Sequence, residues 1–145
     1  ADNKWYCRRD YYYSGRDKEQ QKTDKEFAED LTEWLSGEKI RAVILDPAAA
    51  SFKAQLEKDG YKVKKAKNDV LDGIRFVATL LLSGSIFIDA SCENLIKEFA
   101  SYIWDAKAAE RGEDKPVKEH DHALDAIRYM CYTIIRGVGG MKILK

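Results

Sequence analysis

Two places in this 145-residue chain put acidic side chains where they could act on a substrate. The first is Asp46, which closes the short apolar, β-branched run from Ile40 to Leu45. A carboxylate at the C-terminal end of a strand in an α/β sheet projects into the crevice where such folds bind ligands. The same aspartate, followed by Pro47 and three alanines, would also make an ordinary helix N-cap with proline at the first helical position, and spacing alone favours that cap.

The second place is His120-Asp121-His122-Ala123-Leu124-Asp125. On a helix, His122 and Asp125 are three residues apart and Asp121 and Asp125 four apart, and both spacings bring side chains together. A hard divalent ion such as Mg²⁺ or Mn²⁺ prefers carboxylate oxygens, and a neighbouring histidine can hold a metal-bound water or take a proton during hydrolysis. Against this, at about 100° per residue Asp121, Asp125, Arg128 and Tyr132 lie opposite the apolar stripe of Leu124, Ile127, Cys131 and Ile134. Periodicity therefore favours a solvated helix edge.

Two further groups have plainer readings. Lys62, Lys64, Lys65 and Lys67 could meet DNA phosphates, but exposed edge strands carry lysine to block unwanted pairing. Tyr11-Tyr12-Tyr13 could stack on splayed bases, yet aromatic residues in a strand more often pack in the core or across strands.

The elements that must position these residues follow from period and punctuation. Trp5 to Tyr13 reads as a long strand ending at Ser14-Gly15. It opens right after the turn signal Asp2-Asn3, as the second half of a hairpin would, so the chain is expected to be a fragment. Thr23-Asp24-Lys25-Glu26 is a capping box for a helix carrying Phe27, Leu31, Trp34 and Leu35 and stopping at Gly37. Ile40 to Leu45 predicts a buried strand, and Pro47 onward a second helix with Phe52 and Leu56. Tyr61 to Lys67 predicts a strand with one exposed face, at a sheet edge.

Asn68 can cap a helix whose stripe is Val70, Ile74, Val77 and Leu81, followed by a short strand from Ser85 to Ile88. Glu93 to Asp105 reads as helix, Lys107 to Lys118 as a polar loop, and about Glu119 to Arg136 as the last long helix. The alternation of strands and helices makes the class α/β.

Composition sets the outer limits. With 45% hydrophobic residues, the chain can bury one core, which predicts a single domain over residues 1–145. It contains 25 Lys plus Arg and 25 Asp plus Glu, so it lacks the global positive field by which many free-standing DNA binders capture their target. No apolar run is long enough for a membrane helix, and no signal-peptide pattern opens the chain. Cys7, Cys92 and Cys131 are odd in number and widely spaced, which argues for a reducing compartment and against a zinc site. There is no Walker-type phosphate loop, so ATP hydrolysis is not expected from this chain.

Tyr11-Tyr12-Tyr13-Ser14-Gly15, then Asp46-Pro47-Ala48-Ala49-Ala50-Ser51-Phe52, then His122-Ala123-Leu124-Asp125-Ala126-Ile127-Arg128-Tyr129 together resemble the nuclease domain of phage or prophage terminase large subunits. Asn94-Leu95-Ile96-Lys97-Glu98-Phe99, with Tyr102 and Trp104-Asp105, stands in the matching order between them. The resemblance implies an RNase H-like mixed sheet flanked by helices, here expected to lack its first strand. It implies a metal-dependent endonuclease that cleaves concatemeric viral DNA with Mg²⁺ or Mn²⁺. Asp46 would be the second acidic metal ligand, Asp125 the last, and His122 the histidine beside them, so that Asp46, His122 and Asp125 form the catalytic set.

The family's first ligand is an aspartate on the first strand. Asp10, inside the strand after the turn, is a less favoured substitute, and a site short of one ligand should hold its metals weakly. The implied partners are double-stranded DNA, an ATPase domain on the same polypeptide, a portal protein and a small terminase subunit, in the cytoplasm of the bacterial host. Two other readings are a docking module for portal or motor without catalysis, and another RNase H-like nuclease such as a Holliday-junction resolvase. The polar stretch from Lys107 to Lys118 is expected to be a mobile flap near the substrate.

Overall fold

Strand and helix alternate along the chain in the computed structural model, which describes residues 3–14, 20–109 and 121–138, with 102–109 and 138 as backbone only. The order is β1 (Trp5–Cys7), α1 (Asp24–Leu35), β2 (Val43–Leu45), α2 (Ala50–Lys58), β3 (Val63–Lys65), α3 (Val70–Leu82), β4 (Ile86–Ile88), α4 (Glu93–Ala109) and α5 (His122–Met130). A π-helical turn, Cys131–Ile135, and the short α6 (Arg136–Val138) follow directly. Contacts group these elements into two units. One holds the chain up to Tyr12 with Leu71–Arg128, and the other holds Tyr13–Val70 with the chain from Tyr129 onward.

In the first unit β1 and β4 pair in parallel, Trp5 opposite Ile86 and Cys7 opposite Ile88. Phe76, Leu80, Cys92 and Leu95 are buried in this unit, none more than 3% exposed. Full burial of a Phe or Leu side chain contributes about 2 kcal/mol, so these few residues carry much of this unit's cohesion. On α3 the buried face is Gly73, Phe76, Val77 and Leu80, while Val70 and Leu81 are exposed. The stripe expected from the sequence is thus rotated. A search for apolar side chains cannot score Gly73, which lies on the buried face.

In the second unit the capping box forms as expected. The Glu26 N–H donates to Thr23 Oγ1 at 3.3 Å, and the Thr23 N–H donates to Glu26 Oε2 at 2.7 Å. The helix stops at Ser36 and Gly37, both with positive φ. α1 lies on α2, with Tyr13, Phe27 and Phe52 meeting edge-on and Leu56 fully buried. β2 and β3 pair in parallel, Val43 opposite Val63 and Leu45 opposite Lys65, and Lys64 and Lys65 are exposed.

Several boundaries differ from the expectations. The first strand ends at Cys7, and Tyr11 and Tyr12 are exposed beyond it rather than packed in a sheet. The expected loop begins later, because α4 continues to Ala109, and residues 110–120, with most of the expected flap and His120, lie outside the described residues. No helix among the described residues is long and apolar enough to cross a membrane.

Candidate functional site

Asp46 leaves the end of β2 and belongs to the second unit. Its Oδ1 accepts the Ala48 N–H at 2.8 Å, and its carbonyl oxygen accepts the Ala49 N–H at 3.0 Å. The chain therefore turns through Pro47-Ala48 before α2 starts at Ala50, and the N-cap position falls on Ala49, which has no side chain to cap with. The plain reading of Asp46 as the helix cap is thus not what the chain does. An aspartate bonding two residues onward makes a tight turn that fixes its own side chain. Oδ2 is fixed as well, accepting the Tyr129 hydroxyl at 2.9 Å, with Tyr129 itself 9% exposed.

Asp125 belongs to the first unit, in the first turn of α5. Its Oδ1 accepts a hydrogen bond from Arg128 Nη2 at 2.9 Å. Arg128 is 5% exposed, and in the second unit Tyr132 is 3% exposed. The face that periodicity assigns to solvent is therefore packed at both residues. A helical wheel counts Arg as polar and cannot see that its long stem is being buried.

The start of α5 is held by Glu98 on α4, whose Oε2 accepts the Leu124 N–H at 2.9 Å. Helix N-termini leave N–H groups unpaired, and a carboxylate there satisfies them. Burial pushes the Glu98 pKa up from its usual range, against the lowering effect of the Leu124 and Ala123 N–H groups and of His122. His122 stands exposed as the first residue of α5, three residues before Asp125. Asp10 is taken up elsewhere, its Oδ2 accepting the Leu95 N–H at 3.1 Å in the first turn of α4. Asp89, just after β4, repeats the Asp46 turn by accepting the Ser91 N–H at 2.9 Å, and Ser91 holds its carboxyl below the ordinary range.

Asp46 and Asp125 offer hard oxygen donors, which suits Mg²⁺ or Mn²⁺ chemically. Among the described residues, no group of three or more His, Cys, Asp and Glu is gathered closely enough to hold a metal ion. Sequence reasoning does not single out Glu98, Tyr129 or Gly73. For Glu98 the available signal is its place three residues after Leu95 on the inward face of α4, and for Gly73 it is a glycine kept in a helix interior.

A family model described as the terminase RNase H-like domain matches residues 1–132. The chain belongs to that family. It is 32% identical over 140 residues to the terminase large subunit of Escherichia phage T5, a match covering 92% of this chain and 32% of that protein. Among solved structures it resembles the large terminase of a thermophilic bacteriophage, with TM-score 0.84 and 51% identity over 93% of this chain and 35% of that one. The ADP complex of the same large terminase matches equally well, with TM-score 0.84. The fold is thus RNase H-like α/β, as the resemblance implied, and the chain spans about a third of the length of these relatives.

Proposed function

We propose that this terminase domain is a divalent-metal-dependent DNA endonuclease that cuts concatemeric viral DNA during packaging. The observation that carries the reading is Asp46, a carboxylate at the end of a half-buried strand with both oxygens already oriented, by Ala48 N–H and the Tyr129 hydroxyl, in a chain of this family. Asp125, pinned through one oxygen by a buried arginine, is the second proposed ligand.

Asp46 and Asp125 would hold Mg²⁺ or Mn²⁺, and His122, exposed one turn before Asp125, would take or give a proton at the substrate. When bound, such ions supply charge stabilisation at the attacking and leaving oxygens of a phosphodiester. The chain's own task is to present carboxylates in fixed directions, and a fixed carboxylate loses little freedom when it binds. Double-stranded DNA is the proposed substrate. An ATPase domain on the intact polypeptide, a portal protein and a small terminase subunit are the proposed partners, in the host cytoplasm.

The test is Mn²⁺-dependent cleavage of linear duplex DNA by this chain and by a longer version extended at its N-terminus. Cleavage by either form that Asp46→Ala and Asp125→Ala abolish without unfolding supports the reading. Inactivity of both forms, or activity indifferent to both substitutions, would leave the domain a docking module. Preference for four-way junctions over linear duplex would make it a resolvase-type nuclease.

A further inference from the structure

The α3 glycine at position 73 opens the slot through which Arg128 reaches Asp125. A Cβ built on Gly73 would stand 2.8 Å from Arg128 Cγ and 2.9 Å from its Cδ. Real Cβ atoms do not approach carbon that closely, and the atoms in the way are the stem of a buried side chain, not its mobile tip. Glycine in a helix interior weakens the helix relative to alanine. At position 73 that cost is offset by what the missing side chain admits.

The chain contains its own comparison. Asp72 and Arg75 on α3 have the same order and spacing as Asp125 and Arg128 on α5, with arginine three residues after aspartate. The Asp72 and Arg75 side chains are 66% and 77% exposed and stand 3.7 Å apart, a solvated pair that fixes neither partner. In the α5 pair the distance is 2.9 Å, with the arginine side chain 6% and the aspartate side chain 38% exposed. Spacing is shared, so the difference comes from packing. The Arg128 stem lies buried beside Gly73, and its Nη2 meets Asp125 Oδ1. Of the two Asp125 oxygens it is Oδ1 that accepts from Arg128, and the carboxylate is part-exposed, so Oδ2 can take a further partner.

We propose that Gly73 and Arg128 are positioning residues, a glycine slot and an anchored arginine that hold the Asp125 carboxylate with one oxygen turned outward to receive a divalent cation. The inference rests on the metal reading of Asp125 given above. It adds that the geometry of Asp125 is set from α3, by a residue with no side chain of its own to bind a metal.

Mn²⁺ binding to the 145-residue chain, followed by water-proton relaxation, separates the two ideas. Asp125→Asn tests the metal reading and should weaken Mn²⁺ binding. Gly73→Ala keeps every charge but dislodges Arg128, and should weaken binding by about tenfold, the scale seen when groups that orient a metal ligand are lost. With Arg128→Ala the slot is empty, so adding Gly73→Ala to that variant should change Mn²⁺ affinity no further. Arg75→Ala should leave it unchanged.

As a readout independent of metal, the Arg128 guanidinium protons should exchange slowly in the parent by NMR and quickly in Gly73→Ala. If Gly73→Ala does not fold, Arg128→Lys, which keeps the charge and most of the stem, should show the same loss of affinity. Wild-type affinity in Gly73→Ala or in Arg128→Lys, alongside a loss in Asp125→Asn, overturns the slot and leaves the metal reading standing. An absence of Mn²⁺ binding both in the parent and in the form extended at its N-terminus, or binding that Asp125→Asn leaves intact, removes both.

Discussion

Tyr129 donates its phenolic hydrogen to Oδ2 of Asp46 at 2.9 Å, joining the end of β2 to α5 across 83 residues of sequence. The tyrosine is buried, so its hydroxyl must find a partner inside the protein, and a carboxylate is the strongest acceptor available. Tyr129→Phe keeps the ring and removes this bond. A hydrogen bond to a charged group is worth about 2 kcal/mol, so urea unfolding should show a loss near that size. Asp46→Ala made in the Tyr129→Phe background should then cost less than in the parent, and strictly additive losses would mean that the bond contributes nothing.

How much of this is legible in the sequence depends on whether a residue announces itself by type or by neighbourhood. The Thr23 capping box and the α1 stop at Gly37 are local codes, and they fold as written. Asp46, His122 and Asp125 can be named because their order along the chain resembles a family. The surroundings of Asp46 and Asp125 cannot be named, because Tyr129, Arg128, Glu98 and Gly73 act through contacts between segments far apart in sequence. A wheel that scores polarity and not reach assigns Arg128 and Tyr132 to solvent. It misplaces the α3 stripe because glycine has no hydrophobicity to count. The short strands end early because so few residues on each find a ladder partner, whatever their β-propensity.

Glu98 should leave a mark on the pH dependence of stability. Burial raises its pKa in the folded chain above the ordinary 4.5, so the folded state binds its proton more readily than the unfolded state does. That contribution is fully present below about pH 4.5 and is lost as pH rises through the folded value. Glu98→Gln cannot titrate. The stability of the parent minus that of Glu98→Gln should therefore be most favourable in acid and decline toward neutral pH, with other groups cancelling in the difference. A pH-independent difference would mean that the carboxyl titrates as if exposed. Glu98→Ala, which leaves the Leu124 N–H without its acceptor, should cost about 2 kcal/mol in acid, and that cost should decline toward neutral pH as it does for Glu98→Gln.

The Thr23 cap predicts the opposite sign. Glu26 is held below its ordinary pKa of 4.5, chiefly by the Thr23 backbone N–H and then by the Thr23 hydroxyl. A lowered carboxylate contributes stability above its unfolded pKa and loses it as pH falls through the folded value. Thr23→Ala removes the hydroxyl half of the capping box and should lower the melting temperature at neutral pH. The deficit should shrink as pH falls through the folded Glu26 value, where the parent's carboxyl is also protonated. Melting curves of both proteins between about pH 3 and 7 check this, and a deficit that grew in acid would contradict the reciprocal cap.

Cys7 and Cys92 lie with their sulfurs 3.7 Å apart in the first unit, and burial pushes the Cys7 thiol up to about 12, helped by its bond to Cys92 and by the charges of Cys92, Asp10 and Asp89. The thiolate is the reactive form, so at about pH 8 neither this thiol nor the fully buried Cys92 should react quickly with a maleimide or an aromatic disulfide. The pair is therefore expected to behave as packing rather than as a redox switch. Labelling should proceed only as fast as the first unit opens, and should become complete in denaturant. The same shift gives a stability signature in base. Below about pH 9 both states keep the proton, and above it the unfolded chain ionises first, so stability should fall as pH climbs from about 9 toward 12. Cys7→Ser should flatten that fall. Rapid labelling of native Cys7 at about pH 8 would show instead that the thiol is open to solvent and that the strand end at Cys7 is not closed over by Cys92.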